Sequence, residues 1–127
     1  VIGLVVVSHS AQLAASLSKL AGEMGGGGLR VVPAGGGADG AFGVDAAGVA
    51  AAIAEGDSGD GVVILCDLGS AVLSTRTAIE LRPDHDARLV DAPLVEGAIA
   101  AAVMASTGAS IDEVAEAAEG ARGANKL

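Results

Sequence analysis

The chain is 127 residues long, 51% apolar, with a single aromatic residue (Phe42) and a formal net charge of −9. That length is enough for one domain with a real core, but not for two. The acidic balance and missing aromatics exclude a nucleic-acid binder, which needs basic residues for phosphates and rings for stacking bases.

The metal-ligand inventory is poor, with one cysteine (Cys66), two histidines and no paired spacing, so neither a zinc site nor another metal or cofactor is expected. Cys66 ends an apolar run and reads as a buried structural thiol. No stretch reaches the roughly 18 consecutive apolar residues of a membrane span, because Glu96 interrupts the longest candidate. The start lacks the basic region and cleavage pattern of a signal peptide. These features lead to the expectation of a cytoplasmic protein that meets small molecules or basic protein faces rather than membranes.

In chain order, residues 3–7 (Gly-Leu-Val-Val-Val) form a continuous apolar run, the mark of a strand covered on both faces. Ser10 is placed to cap a helix with Leu13, Leu17, Leu20, Ala21 and Met24 as its apolar stripe, ended by Gly25–Gly28. Leu29–Ala34 reads as a second strand and Gly35–Gly43 as a glycine-rich loop. Asp45 is an early acid for a helix that runs through Val49 and Ile53 to Gly56. A turn over Asp57–Gly61 then precedes a third buried strand, Val62–Cys66, with Asp67-Leu68-Gly69-Ser70 at its C-terminal end.

A helix is expected over Ala71–Leu81, closed by Pro83, then a short strand over Arg88–Val90. Pro93 opens a helix through Leu94, Ile99, Ala102 and Val103, and Ser110 caps a last amphipathic one. Residues 1–121 are expected to form the domain and 122–127 a frayed tail. The alternation of strand and helix predicts an α/β domain around a mainly parallel four-stranded sheet.

Ligands of such sheets bind at the C-terminal ends of strands, near the switch in strand order. His9, the Gly35–Gly43 loop, and Asp67 with Ser70 follow the first three strands, so topology brings an imidazole, a carboxylate and a hydroxyl to one rim. A carboxylate on one ring nitrogen fixes the histidine tautomer and leaves the other nitrogen as acceptor or nucleophile. With Asp67 on Nδ1, Nε2 of His9 is free to attack phosphorus, and helix N-termini would offer amides to phosphoryl oxygens. The bland alternatives are a helix-capping histidine and an ordinary turn aspartate. His85, in Arg82-Pro83-Asp84-His85-Asp86, reads as merely solvated.

Three other chemistries fit less well. Gly35-Gly36-Gly37-Ala38-Asp39-Gly40 satisfies G-x-G-x-x-G, but Phe42 and Gly43 prolong the loop where a dinucleotide fingerprint opens a helix. A loop lying flat beside a partner protein is the better reading. Ser70 sits in Leu-Gly-Ser-Ala-Val, which is not the G-x-S-x-G elbow of a hydrolase. A response-regulator-like domain needs an acidic pair where the first strand offers His9.

Taken as an ordered set, Val7-Ser8-His9-Ser10, Gly43-Val44-Asp45, Asp67-Leu68-Gly69-Ser70 and Ala92-Pro93-Leu94-Val95-Glu96-Gly97 resemble the phosphotransferase subunits of bacterial dihydroxyacetone kinases. The N-terminal domain of these subunits belongs to the mannose-type IIA family of the sugar phosphotransferase system, and the resemblance covers nearly the whole chain. It implies a three-layer sandwich with helices on both sides of the sheet. His9 would be the phosphorylated histidine (on Nε2, the tele nitrogen), Asp67 its orienting carboxylate and Ser70 a hydroxyl near the phosphoryl group. The phosphate would come from the histidine phosphocarrier protein and pass to ADP held on the nucleotide-binding kinase subunit, and the domain would be a homodimer.

The transporter branch of the family usually carries Trp-Gly-Gly after the matching aspartate and Asn-x-Pro-Met later. Leu68-Gly69 and Ala92–Gly97 are similar to the kinase branch instead. A mannose-family transporter IIA domain and a regulatory module that only reports phosphorylation are the alternatives. Val44 stands where the family has Thr, which puts any phosphate or helix contact from that hydroxyl in question.

Overall fold

A computed structural model describes all of residues 1–127. Strand β1 (Gly3–Val7) is buried along its whole length because it lies inside the sheet. With β2 (Val31–Ala34), β3 (Val62–Cys66) and β4 (Ala87–Leu89) it forms an all-parallel sheet in the order β2-β1-β3-β4. Val7 pairs with Ala34 on one side and Cys66 on the other, so the first three strands end level. Whatever follows them emerges on one rim.

Helices α1 (Ala11–Met24), α4 (Leu94–Ser106) and α5 (Ile111–Gly120) pack on one face of the sheet, and α2 (Ala46–Gly56) with α3 (Ser70–Glu80) on the other. Strand alternation divides the apolar runs between the two sides. Leu4, Val6, Val63 and Leu65 join the α1/α4/α5 core, while Val5, Val7, Val62 and Ile64 join the α2/α3 core. A continuous apolar strand thus feeds two half-cores at once. On the first side the helices contribute mostly alanine, including Ala98, Ala101, Ala102 and Ala105 of α4.

The α/β sandwich matches the sequence expectation, as do the caps that launch its helices. Ser10 Oγ accepts from the Leu13 amide, Asp45 Oδ1 from the Gly48 amide, and Ser110 with Glu113 forms a reciprocal capping box. Element ends differ by a residue or two. Pairing nevertheless continues past two of these limits, since the Leu4 amide donates to the Arg30 carbonyl and the Val90 amide to Ile64.

The stripe of α1 differs from the expected one. Ala14, Leu17, Ser18 and Ala21 are buried, whereas Leu13, Leu20 and Met24 are exposed. The small residues face the sheet because α1 lies close against it, and the larger ones fall to the flank. At the other end of the chain Arg122 reaches the carbonyl of Asp91, and Lys126 Nζ lies 2.7 Å from Glu96.

His85 is not merely solvated. Its Nδ1 lies 2.7 Å from Oδ2 of Asp57, whose side chain is 9% exposed and also accepts the Gly59 and Gly61 amides. The pair ties the loop before β3 to the loop before β4, at the end of the sheet opposite His9.

Candidate active site

Three chain segments build the site at the level ends of β1 and β3, on either side of the switch in strand order. The Asp67 amide donates to the Val7 carbonyl at 3.0 Å, which carries the parallel ladder one residue past β3 and aims the carboxylate across at β1. Asp67 then gathers four donors. Oδ2 accepts from Ser8 Oγ at 2.9 Å and from the His9 amide at 3.0 Å. Oδ1 accepts from the Leu68 amide at 2.8 Å and lies 3.0 Å from His9 Nδ1.

Burial raises the Asp67 pKa, but these hydrogen bonds outweigh it and hold the carboxyl below the usual carboxylate range. An ionised carboxylate only accepts, so Nδ1 of His9 carries its proton toward Asp67 and Nε2 keeps its lone pair when the ring is neutral. Ser70 Oγ, at the first residue of α3, lies 3.0 Å from Nε2 and is positioned to donate to it. The imidazole therefore has a partner on each nitrogen. Its side chain is 26% exposed against 13% for Asp67, so the reactive edge faces solvent and the carboxylate sits behind.

The serines beside His9 are supports. Ser8 is fully buried, bonded to Asp67 and accepting the Ser10 amide at 3.1 Å, and Ser10 caps α1. On the far side of the imidazole, α3 starts without a side-chain cap. The amides of Gly69 and Ser70 have no acceptor within the chain and lie at the positive end of the helix. That combination suits a group carrying negative charge.

The glycine-rich loop folds onto the site. The Gly36 amide donates to Gly43 and the Gly37 amide to Ala41 around a one-turn 3-10 helix at Ala38–Gly40, and the Gly43 amide donates to the His9 carbonyl at 2.9 Å. Gly35 has φ of 113°, and a Cβ there would lie 1.7 Å from the Ser8 carbonyl oxygen. Only glycine allows the loop to pass so close under the histidine. No α-helix opens within the motif, unlike in a dinucleotide fingerprint, since the single 3-10 turn at Ala38–Gly40 ends with it, and Phe42 is left 79% exposed.

Val44 packs partly buried against the α2/α3 core, and its carbonyl accepts from Ser74 Oγ at 3.3 Å. The start of α2 is capped by Asp45, so no hydroxyl is needed at position 44 for that contact. Cys66 Sγ lies 3.3 Å from Thr75 Oγ1. Burial, opposed by that hydroxyl and reinforced by the Asp67 charge, pushes the Cys66 thiol up and makes it a poor nucleophile. No group of three or more His, Cys, Asp or Glu side chains is arranged to hold a metal ion. No helix is long and apolar enough to cross a membrane.

Sequence reasoning brought together His9, Asp67 and Ser70, and the structure places all three in one chain of hydrogen bonds. It missed the grip of Asp67 on the backbone of His9 and Leu68. The only hint of that grip is Ser8, a small polar residue where the apolar run breaks off.

The family model described as PTS system fructose IIA component (EIIA-man) matches residues 3–115. The chain is 40% identical over 105 residues to PEP-dependent dihydroxyacetone kinase 2, phosphoryl donor subunit DhaM, of Listeria innocua, covering 80% of this chain and 84% of that one. With the DhaM phosphoryl donor subunit of Providencia stuartii it shares 44% identity over 119 residues, 89% of this chain but 25% of the relative, so it spans about a quarter of that longer protein. A crystal structure described as unknown function protein EF1359 superimposes with a TM-score of 0.82 at 32% identity, covering 98% of this chain and 96% of the other. A sigma-54 interaction domain protein from Enterococcus faecalis shares the fold, with a TM-score of 0.68 at 17% identity over 92% of this chain and 87% of that one. The chain belongs to the EIIA-man family and, within it, to the phosphotransferase (DhaM) subunits of PEP-dependent dihydroxyacetone kinases.

Proposed function

We propose that the chain is a phosphohistidine relay, accepting a phosphoryl group on His9 Nε2 and passing it to ADP. The donor is the histidine phosphocarrier protein, and the ADP is held on the nucleotide-binding subunit of a dihydroxyacetone kinase. The observation that carries this reading is the pair of bonds on one imidazole, Asp67 on Nδ1 and Ser70 on Nε2.

In the loading step the Nε2 lone pair attacks the phosphorus of the donor's phosphohistidine. The donor's P–N bond breaks and its electron pair returns to the donor ring. The positive charge that grows on the His9 ring is shared through Nδ1–H with the Asp67 carboxylate. Once Nε2 is bonded to phosphorus it has no lone pair for Ser70, whose hydroxyl is free to turn to a phosphoryl oxygen. The amides of Gly69 and Ser70 are available to the same oxygens. In the unloading step a β-phosphate oxygen of ADP attacks phosphorus, the P–Nε2 bond breaks, and the lone pair returns to Nε2. Positioning and charge stabilisation are the main demands of such a transfer.

The relatives' printed names, phosphoryl donor subunits of PEP-dependent dihydroxyacetone kinases, support the kinase branch over a transporter. The relay works as a cytoplasmic homodimer and does not touch dihydroxyacetone itself. The test is reconstitution with phosphoenolpyruvate, the general carrier proteins and the two other kinase subunits. Wild type forms acid-labile phosphohistidine and supports dihydroxyacetone phosphorylation, and His9→Ala does neither. A His9→Ala protein that still relayed phosphate would overturn the reading.

A further inference from the structure

Three polar side chains are buried, Ser8, Ser18 and Thr75. Ser18 has no hydrogen-bond partner and Thr75 meets Cys66, whereas Ser8 both donates and accepts inside the site. It follows directly on the apolar strand β1 and is fully buried, where a hydroxyl carries a desolvation cost unless it is bonded. The Ser10 amide donates to Ser8 Oγ at 3.1 Å, and Oγ lies 2.9 Å from Asp67 Oδ2. An amide N–H only donates and a carboxylate only accepts, so the Ser8 proton points at Asp67. The amide that opens the α1 cap polarises this hydroxyl and makes it a stronger donor.

Placing the carboxylate does not by itself account for that bond. The Leu68 amide holds Oδ1 and the His9 amide holds Oδ2, so backbone donors already reach both oxygens. Ser8 is the one side chain among the four donors that takes no part in the reaction. All four draw on the same negative charge. Burial raises the Asp67 pKa, and the bonds from His9, Ser8 and Leu68 lower it. A carboxylate that shares its charge with Ser8 pulls less strongly on the Nδ1–H of His9.

We propose that Ser8 is a positioning residue that acts through Asp67 to set the phosphoryl-transfer potential of His9. The proposal rests on the relay reading and concerns the same site. In the loaded state Nε2 is bonded to phosphorus and Nδ1 keeps its proton, so the ring carries a positive charge that faces Asp67. Unloading breaks the P–Nε2 bond, returns its electron pair to Nε2 and discharges the ring. A stronger hold by Asp67 therefore favours loading and opposes transfer to ADP. The Ser8 hydroxyl weakens that hold and shifts the balance toward release.

The test compares wild type, Ser8→Ala, Ser8→Cys and Ser8→Thr. The equilibrium constant for loading is read from the phosphohistidine formed with phosphorylated carrier protein, and the rates of loading and of transfer to ADP from quenched-flow traces. Ser8→Ala raises that constant by about fivefold, the effect of one hydrogen bond, and slows transfer to ADP but not loading. Ser8→Cys, with its weak S–H donor, falls between alanine and wild type. Ser8→Thr keeps the hydroxyl and stays within about twofold of wild type. The Nδ1 proton resonance of His9 moves downfield in Ser8→Ala as its bond to Asp67 strengthens.

An equilibrium constant that is unchanged or lower in Ser8→Ala overturns the proposal while leaving the relay intact. Equal slowing of both rates with the constant unchanged reduces Ser8 to a structural support. A threonine variant that follows alanine overturns the proposal by tracing the shift to packing rather than to the hydroxyl. Where the alanine variant does not fold, a wild-type constant in Ser8→Cys overturns it in the same way. Failure of wild type to form phosphohistidine would instead sink the relay reading, and the tuning of His9 with it.

Discussion

Asp67 grips His9 at two points, with Oδ1 3.0 Å from the ring Nδ1 and Oδ2 3.0 Å from the backbone amide. A carboxylate that held only the ring would leave the imidazole free to swing with its backbone. Holding both fixes the ring against the β1 end, and the Leu68 amide and Ser8 hydroxyl fix the carboxylate in turn. Asp67→Asn keeps the shape but removes the charge and turns one acceptor into a donor. Phosphoryl transfer then falls by about 100-fold or more, while the circular dichroism spectrum remains native and KM for the donor is unchanged. Transfer within about threefold of wild type would remove Asp67 from the mechanism.

Ser70 stands 3.0 Å from Nε2 and is the hydroxyl that must turn as phosphorus arrives. Its side chain leads α3 from an exposed position, so the fold does not depend on it. Ser70→Ala should lower the rate of transfer to ADP by roughly tenfold, less than a full oxyanion-type donor because the Gly69 and Ser70 amides remain. His9 is still labelled by phosphoramidate. A Ser70→Ala protein with wild-type rates in both directions would reduce the hydroxyl to a bystander.

The sequence makes the site more legible than the packing around it. His9, Asp67 and Ser70 each follow or open an element whose pattern is plain, and parallel strands of equal reach bring their ends together. The α1 stripe misleads because leucines outweigh alanines in any hydropathy pattern, whereas close helix-to-sheet packing selects Ala14 and Ala21 and leaves Leu13 and Leu20 at the flank. The Asp57–His85 bond joins residues 28 positions apart in two loops, and no local periodicity encodes such a pair.

The Asp57–His85 pair supplies a pH-dependent part of stability. Burial raises the Asp57 pKa, but the bonds from His85, Gly59 and Gly61 outweigh it and leave the group below its ordinary value. A carboxyl whose pKa is lower folded than unfolded stabilises the fold above the unfolded value, about 3.9, and loses that contribution as pH falls through the folded one. Asp57→Ala should therefore cost about 2 kcal/mol near neutral pH, with the gap from wild type narrowing in urea melts below pH of roughly 4. Phosphoryl transfer at pH 7 remains, because the pair lies at the opposite end of the sheet. A gap that stayed constant with pH would show that packing, not the charge, is what Asp57 contributes.

Ser18 offers a test of the α1 packing itself. It is 6% exposed, among Ala14, Leu17 and Ala21 on the buried face, and its hydroxyl has no hydrogen-bond partner. A buried hydroxyl without a partner carries an uncompensated desolvation cost, and serine is also a weaker helix former than alanine. Ser18→Ala removes both burdens with almost no change in volume. The variant should gain about 1 kcal/mol of stability and melt a few degrees higher, roughly 3–5 °C for a domain of this size. Transfer through His9 stays at the wild-type rate, since Ser18 lies two turns into α1 from the Ser10 cap. Equal or lower stability would mean that the hydroxyl finds an acceptor in solution, with the Ala14 carbonyl one turn back as the nearest choice.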